Sequence, residues 1–387
     1  MTHTGNWNYP TSIRFGAGRI AELPNACREL GMNNPLFVTD PILLELEITK
    51  NTLNILDQAG ISHGVFSDIQ SNPVGSDVDK GVLMCREGGH DGVIAFGGGA
   101  AIDVAKAIAL MKGQTRPLFD FEDIGDYWTR VDVLGMLPCV AVPTTSGTGS
   151  EVGRASVIVH EQEVRKAIIF HPNMLPQKVI ADPALTIGLP SNITAAVGMD
   201  ALSHNLEAFC APGFHPQAEG IALQGMKLIH KSLLTAVEQG DNIEARSDMM
   251  AASLMGATAF QKGLGAMHAM SHPLGAHLKV HHGLSNAIVM PYVLDCNRTA
   301  IEEKMNVLAS FLGLEGEGCD AVIQWVCSLR SQLNIPHTLE DIGFEERHCS
   351  LLAPLAIQDP SAGGNPIALT CEQYEDLFRN AWKGNLS

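Results

Sequence analysis

Short apolar runs alternate with longer amphipathic stretches through the first half of the chain. The apolar runs predict β-strands at residues 35–39, 63–66, 92–96, 138–142 and 179–181. Between several of these runs lie stretches with helical periodicity, and they predict helices at residues 19–30, 41–59, 74–87 and 100–111. Strands separated by helices of this length predict βαβ units and a parallel sheet. The runs Ala155–His160 and Arg165–Phe170 flank a polar stretch, and they predict a hairpin inserted into that pattern.

The pattern changes after about residue 185, where β-branched runs become rare. Helical periodicity predicts helices at residues 191–209, 218–236, 242–261, 299–313, 318–333 and 371–381. A chain of 387 residues is too long for a single hydrophobic core. We therefore expect an α/β domain over residues 1–185 and an all-helical domain over residues 186–387.

Composition and charge disfavour several classes of function. A net charge of −17 argues against nucleic acid, whose phosphates need a basic surface. The nine cysteines are scattered without a C-x-x-C pair, which is typical of reduced thiols in a cytoplasmic protein. The first residues lack the basic and apolar regions of a signal peptide, and no apolar stretch is long enough to cross a membrane, so we expect neither secretion nor membrane insertion.

Aspartate and histidine cluster in the helical half. Asp200 and His204 stand four positions apart, so on a helix they share one face, one turn from each other. His268 and His282 would have to come from elements folded back against that face. A single buried histidine is more often a hydrogen-bonded core residue, but a carboxylate and several imidazoles together suit a divalent first-row metal.

The choice among the histidines stays open on spacing alone. An i, i+4 rule pairs His268 with His272, but Pro273 disfavours helical geometry at His272. Gly283 permits a sharp turn that would aim His282 inward.

Two loops of the first half suit a phosphate-bearing ligand. Gly97, Gly98 and Gly99 follow the predicted strand at 92–96 and precede a predicted helix, whose N–H groups and positive dipole end can accept a phosphate. The spacing is not G-x-G-x-x-G, so a tight turn without a ligand is an equal alternative. The loop at 143–151 follows another strand and carries five hydroxyls and two glycines, and two such loops at strand ends favour a ligand site.

Asp40 has two comparable interpretations. It ends the apolar run at 35–39, where a carboxylate can accept hydrogen bonds from ribose hydroxyls and repel a 2′-phosphate. It also precedes Pro41, which makes it a good helix N-cap.

Four motifs in order resemble the iron-dependent (group III) alcohol dehydrogenases, and the resemblance covers essentially the whole chain. These motifs are the glycine turn with Asp103 and Lys106, the 144–151 loop, the 198–204 segment, and the 265–275 segment with His282 and Gly283. The resemblance implies a Rossmann-like dinucleotide-binding domain with a parallel sheet, followed by an all-helical metal-binding domain. Gly153 and His281 depart from the family pattern, which commonly has a hydroxyl and a proline there.

The resemblance also implies the roles of individual residues. Metal ligands would be Asp200, His204, His268 and His282, whereas His272 would not bind the metal but would lie beside it and the nicotinamide. In that position His272 is the best candidate for the catalytic residue that passes the proton to solvent. Cofactor contacts would be made by Asp40, Asn72, Gly97, Gly98, Gly99, Ala100, Ala101, Ile102, Asp103, Thr144, Thr145, Thr148 and Lys166.

The implied reaction is hydride transfer between NAD and a small primary or secondary alcohol or aldehyde, in a homodimer or larger homo-oligomer. Iron(II) is the family expectation for the metal, and the same donors suit zinc. Arg154 leaves a hydroxy acid such as 4-hydroxybutyrate as an alternative substrate, since it could pair with a carboxylate. A lyase resembling dehydroquinate synthase is a weaker alternative, because only Lys262 and Lys279 supply positive charge near the metal residues.

Overall fold

A computed structural model describes residues 5–7 and 11–386, and within them the chain divides into two compact units. The sheet unit comprises residues up to 145 together with 149–188, and the helical unit comprises 146–148 together with 189 onwards. The sequence had suggested a boundary between 185 and 186.

A seven-stranded sheet forms the centre of the sheet unit. Its strands, in spatial order, are β1 (Gly5–Trp7), β2 (Ser12–Phe15), β9 (Lys178–Ala181), β6 (Cys139–Pro143), β5 (Val93–Gly97), β3 (Leu36–Val38) and β4 (Gly64–Phe66). All neighbouring pairs are parallel except β1 with β2. Every residue of β3, β5 and β6 is buried, as expected for central parallel strands covered on both faces.

The predicted hairpin forms a separate two-stranded antiparallel sheet from β7 (Ala155–His160) and β8 (Arg165–Phe170). The helices of the sheet unit are α1 (Leu23–Glu29), α2 (Pro41–Leu44), α3 (Glu47–Gln58), α4 (Gly75–Glu87) and α5 (Gly99–Met111). The single helix predicted at 41–59 is wrong, because the chain leaves helical geometry at Leu46, whose φ of −81° and ψ of 149° are extended. Strands β1 and β2 were also missed.

The helical unit consists of long helices around one apolar core. They are α6 (Ser191–Cys210), α7 (Pro216–Glu238), α8 (Ile243–Ala259), α9 (Ala266–Leu278), α10 (His282–Leu312), α11 (Gly318–Gln332), α12 (Arg347–Gln358) and α13 (Cys371–Lys383). Helix α10 packs against α6 and α9, and these three helices carry the site described below. No helix of the described chain is long and apolar enough to cross a membrane.

Proline positions explain the main errors in the helical unit. Helix α9 runs through Pro273 and α10 runs through Pro291, so the prediction that helical geometry fails near His272 is wrong. The sequence had predicted only the second half of α10, at 299–313, and neither α9 nor α12. Each proline removes one backbone hydrogen bond from its helix. The residues on both sides of each proline are mostly buried, and their packing outweighs the low helix propensity of proline.

Candidate metal centre and cofactor site

Three helices of the helical unit bring four potential metal donors together. Asp200 and His204 lie one turn apart on α6, His268 lies in the first turn of α9, and His282 is the first residue of α10. One donor atom from each of these side chains lies within 4.8 Å of all the others. His272 is not part of this group, so the structure favours the set implied by the resemblance over the set suggested by spacing.

The close approach of α10 to α6 depends on Gly283. A Cβ atom at this position would lie 2.2 Å from the carbonyl oxygen of Ala196 and 3.0 Å from the Cβ of Asp200. Gly283 is helical, so the sharp turn expected there is wrong. The glycine instead lets the start of α10, and with it His282, pack directly on the helix that carries Asp200.

Each of the three imidazoles is held through its Nδ1 atom. His204 Nδ1 lies 3.2 Å from the carbonyl oxygen of Gly147, His268 Nδ1 lies 2.6 Å from Glu207 Oε2, and His282 Nδ1 lies 3.0 Å from Ser271 Oγ. Anchoring of one ring nitrogen leaves the other for a metal and fixes the orientation of the ring, as is usual for metal-binding histidines. The Nε2 atom of each ring is therefore the nitrogen that could serve as a metal donor.

Burial and charge set the protonation of these rings. Burial lowers the pKa of His204 to about 4, so this ring is neutral at neutral pH and keeps a lone pair for a cation. Burial opposes the charged form of His268 too, but the charge and hydrogen bond of Glu207 outweigh it and raise its pKa. A cation on His268 therefore competes with a proton, and we expect binding to weaken in acid.

One carboxylate and three imidazoles fit a divalent iron or zinc ion. Donors of one tetrahedral ion with bonds of about 2.0–2.1 Å lie roughly 3.4 Å apart, so a spread of at most 4.8 Å requires only small side-chain shifts. The described residues thus fit the metal that the resemblance implies.

His272 lies next to this cluster with a partner of its own. It follows His268 by one turn on α9, and its ring stacks on that of His282 with centroids 5.3 Å apart. Its Nδ1 lies 2.7 Å from Oδ2 of Asp359, at the end of α12. Burial would raise the pKa of Asp359, but His272 and the N–H of Ser361 outweigh it and lower the pKa, so the carboxylate is charged and Nε2 of His272 is left to accept a proton.

In the sheet unit, the two predicted loops lie side by side at the carboxyl ends of the parallel strands β5 and β6. The N–H of Thr144 donates to the carbonyl oxygen of Gly97 at 3.0 Å. A Cβ atom on Gly98 would lie 3.4 Å from the side chain of Thr145. Gly97 itself has a φ of 150°, and its Cβ would lie 2.8 Å from that of Ala101, so this turn requires glycine.

Helix α5 begins directly after this turn. Its N-cap, Gly98, supplies no side-chain hydrogen bond, so the N–H groups of the first turn are uncapped by any side chain, which suits a phosphate. Ala101 and Ile102 are buried, so any contact they make with a ligand would involve the backbone, whereas Gly99 and Ala100 are partly exposed.

The structure shows the capping role of Asp40. The residue follows β3, and its Oδ1 accepts hydrogen bonds from Ile42 N at 2.9 Å and Leu43 N at 2.8 Å. Its Oδ2 lies 3.9 Å from the position of a Cβ on Gly97, so the second oxygen faces the glycine turn. Because strands β3 and β5 are adjacent, Asp40 and the turn share the edge where the strand order reverses, the usual ligand position in such sheets.

The side chain of Asp103 makes several contacts within the sheet unit. Its carboxylate accepts hydrogen bonds from Ser150 Oγ at 2.5 Å and Val157 N at 2.9 Å, and it lies 3.3 Å from Lys106 Nζ. This side chain ties α5 to the 144–151 loop and to β7.

The remaining predicted cofactor residues are more scattered. Asn72 lies in the loop between β4 and α4, and Lys166 lies on β8 opposite Val159. Thr148 belongs to the short segment that groups with the helical unit. Arg154 is exposed, with its guanidinium 5.7 Å from the ring centroid of Phe170.

Two family models match the two halves of the chain. The model of iron-containing alcohol dehydrogenases matches residues 10–183, and the model of the C-terminal region of Fe-containing alcohol dehydrogenases matches residues 194–382. The chain belongs to the iron-containing alcohol dehydrogenase family.

Relatives and solved structures agree with this membership. A 4-hydroxybutyrate dehydrogenase of Cupriavidus necator is 36% identical over 383 residues, covering 96% of this chain and 98% of that protein. The crystal structure of a 1,3-propanediol oxidoreductase superposes with a TM-score of 0.92 at 32% identity, covering 99% of this chain and 100% of the other. A sulfoacetaldehyde reductase from Bifidobacterium kashiwanohense, in complex with NAD+, superposes with a TM-score of 0.88 at 28% identity, covering 100% of both chains. The predicted family, fold class and reaction class are confirmed, and the chain is an alcohol oxidoreductase.

The sequence analysis did not identify the two acidic residues that contact His268 and His272. Glu207 lies three positions after His204 on α6, so helical periodicity could have placed it on the same face. Asp359 is 87 positions from His272, and no local pattern connects them.

The lysines considered for a lyase are placed elsewhere. Lys262 Nζ donates to Glu219 Oε1 at 2.7 Å, and Lys279 is exposed at the end of α9. Lys262 is thus paired with an acidic residue and Lys279 faces solvent, and neither observation supports the lyase alternative.

Proposed function

We propose that this oxidoreductase interconverts small alcohols and their aldehydes or ketones with NAD, using a divalent cation held by Asp200, His204, His268 and His282. The observation that carries this proposal is the convergence of one carboxylate with three imidazoles that are each held through Nδ1. A cation bound by these groups supplies Lewis acidity, which lowers the pKa of an alcohol hydroxyl.

The residues of the chain then have distinct tasks. Glu207, Ser271 and the carbonyl of Gly147 hold the imidazoles in place. His272 accepts the hydroxyl proton at Nε2, because its Nδ1 is occupied by Asp359. Bound NAD would supply the acceptor for the hydride of the carbinol carbon.

We propose that the cofactor binds at the carboxyl edge of the parallel sheet. The uncapped N–H groups at the start of α5 and the glycine turn would receive the pyrophosphate. The Oδ2 atom of Asp40 would accept hydrogen bonds from ribose hydroxyls, while its Oδ1 keeps the helix cap. The same charge would repel the 2′-phosphate of NADP.

Substitution of one donor tests the metal assignment. His268→Ala should lose the cation and the activity together, while its affinity for NADH, measured by fluorescence titration, should stay at the wild-type value. A variant that remains fully active after chelator treatment would refute the assignment.

We propose iron(II) as the physiological ion, supported by the family model that matches the chain. Aerobic loss of activity that is restored by Fe(II) and not by Zn(II) supports iron. Full activity of the zinc-loaded enzyme contradicts it.

A hydroxy acid is the second candidate substrate. It is favoured by the 4-hydroxybutyrate dehydrogenase relative and by the exposed guanidinium of Arg154, which could pair with a carboxylate. The test compares kcat/KM for ethanol, 1,3-propanediol and 4-hydroxybutyrate in the wild type and in Arg154→Ala. A selective loss for the acid supports the pairing, and an equal effect on all three substrates contradicts it.

We also propose a cytoplasmic homodimer. The cytoplasmic location is supported by nine free, scattered cysteines, and the dimer by the resemblance to the family. A monomer mass in light scattering would contradict the dimer.

A further inference from the structure

A buried amide lies among the proposed metal donors. Asn286 follows His282 by one turn on α10 and is fully buried. Its Nδ2 atom lies 2.9 Å from Asp200 Oδ1 and 3.3 Å from Nε2 of both His268 and His282. This one nitrogen therefore contacts three of the four residues that we assign to the metal.

The orientation of the amide follows from its neighbours. An amide nitrogen carries two hydrogens, and here it faces a carboxylate oxygen and two imidazole nitrogens. An amide rotated by half a turn would place its oxygen against the carboxylate oxygen of Asp200 and would be repelled. The hydrogen bond to Asp200 is the shortest of the three and is accepted by a carboxylate, so it is the strongest.

This orientation leaves the other end of the amide without a partner. Asn286 Oδ1 is buried and accepts no hydrogen bond from any described residue. Asn297, also buried on α10, shows the ordinary alternative, since its amide exchanges two hydrogen bonds of 2.9 and 2.8 Å with Asn365. A buried carbonyl without a donor costs stability, so the placement of Asn286 is explained better by the donors it contacts than by folding.

We propose that Asn286 is a positioning residue of the metal centre, whose side-chain N–H holds the carboxylate of Asp200 in the orientation that binds a divalent cation. If both imidazoles bound a cation through Nε2, they could no longer accept from the amide, whereas an oxygen of Asp200 still could. Asn286 thereby limits the rotation of the only charged donor. This inference rests on the proposed metal site.

The test is chelator competition on the full-length, zinc-loaded protein, with residual zinc measured by mass spectrometry after desalting. Asn286→Leu preserves the side-chain shape and removes the N–H group that donates to Asp200. We expect this variant to bind zinc about 10- to 100-fold more weakly, which is typical for the loss of a group that orients a metal ligand. Asn297→Leu is the matched control, because it removes a buried amide from the same helix without touching a donor. Its zinc affinity should stay within about twofold of the wild type.

Cobalt(II) absorption separates positioning from direct ligation. If Asn286 only positions Asp200, the cobalt-loaded Asn286→Leu protein should keep the band intensities of the wild type despite its weaker binding. A change of coordination number would overturn the positioning role in favour of a direct bond to the amide. Wild-type zinc affinity in Asn286→Leu would overturn the proposal altogether.

A folding check and the zinc affinities of the wild type and of His268→Ala separate a failure of this inference from a failure of the proposed metal site. If Asn286→Leu does not fold, as judged by circular dichroism, Asn286→Ala is measured instead against the same thresholds. If the wild type fails to bind one zinc per chain, or His268→Ala binds it as tightly, the metal site itself is wrong. If the wild type binds one zinc per chain, His268→Ala loses zinc and Asn286→Leu keeps the wild-type zinc affinity, only the role of Asn286 is wrong.

Discussion

Glu207 connects the metal centre to the helix scaffold through two buried hydrogen bonds. Its Oε1 accepts the backbone N–H of Met267 at 2.7 Å, and its Oε2 accepts the Nδ1–H of His268 at 2.6 Å. Glu207→Gln preserves the shape of the side chain but replaces one of these two acceptors by an NH2 donor. One of the two N–H groups, that of Met267 or that of His268, then faces a donor instead of an acceptor.

The imidazole can relieve this conflict, whereas the peptide N–H cannot. His268 can move its proton from Nδ1 to Nε2, but Nε2 is the nitrogen proposed to bind the cation, and a protonated nitrogen cannot bind it. Binding would require the imidazole to give up its hydrogen bond and would leave a buried N–H of the amide without an acceptor, at a cost of about 1–3 kcal/mol. This energy corresponds to a loss of about 5- to 150-fold in cation affinity.

The assay is again chelator competition, here with Zn(II) and, under anaerobic conditions, with Fe(II). Glu219→Gln serves as the control, since Glu219 pairs with Lys262 and Lys304 and with none of the four donors. Thermal unfolding of the chelator-treated proteins checks that both variants are folded. An affinity of Glu207→Gln within about twofold of the wild type would refute the reasoning, because the proton of His268 would then have no influence on the cation.

Three further substitutions address the sheet unit. Asp40→Ser keeps an oxygen for the helix cap and removes the charge. We therefore expect kcat/KM with NADP to rise by roughly tenfold and Tm to stay unchanged. Unaltered cofactor selectivity would leave Asp40 with the capping role alone. Gly97→Ala introduces a Cβ 2.8 Å from that of Ala101 at a φ of 150°, so NADH affinity in a fluorescence titration should fall, and wild-type affinity would contradict the role of the turn. Burial raises the pKa of Glu151 from 4.5 to about 7, so folding takes up a proton between these values and stability declines as pH rises through them. In urea unfolding, Glu151→Gln should match the wild type near pH 4.5 and exceed it by roughly 3 kcal/mol near pH 8, and an equal difference at both pH values would contradict the burial argument.

Local patterns were sufficient for most of the sheet unit. Strands β3, β5 and β6 are continuous apolar runs because both faces of a central parallel strand are covered, and such runs are visible in sequence. The glycine turn was visible for a similar reason, since only glycine tolerates the conformation and the close contact at Gly97. The shared face of Asp200 and His204 followed from helix periodicity alone.

Prediction failed where packing outweighs a local preference. Pro273 and Pro291 lie inside α9 and α10, and the burial of these helices compensates for the hydrogen bonds that the prolines remove. Asp40 shows another limit, because the sequence leaves the helix cap and the ribose contact as comparable interpretations. Only the tertiary structure assigns Oδ1 to the cap and directs Oδ2 to the glycine turn, where the ribose contact is proposed.

The sequence by itself determined the order of the two halves, the kinds of donor available and the family, because these depend on residue type and spacing along the chain. The tertiary structure decided which groups contact the proposed donors and His272: Glu207 contacts His268, Asp359 contacts His272, and Asn286 contacts Asp200. These contacts join residues that are up to 87 positions apart. Their distances are set by how the helices pack, and no local periodicity encodes them.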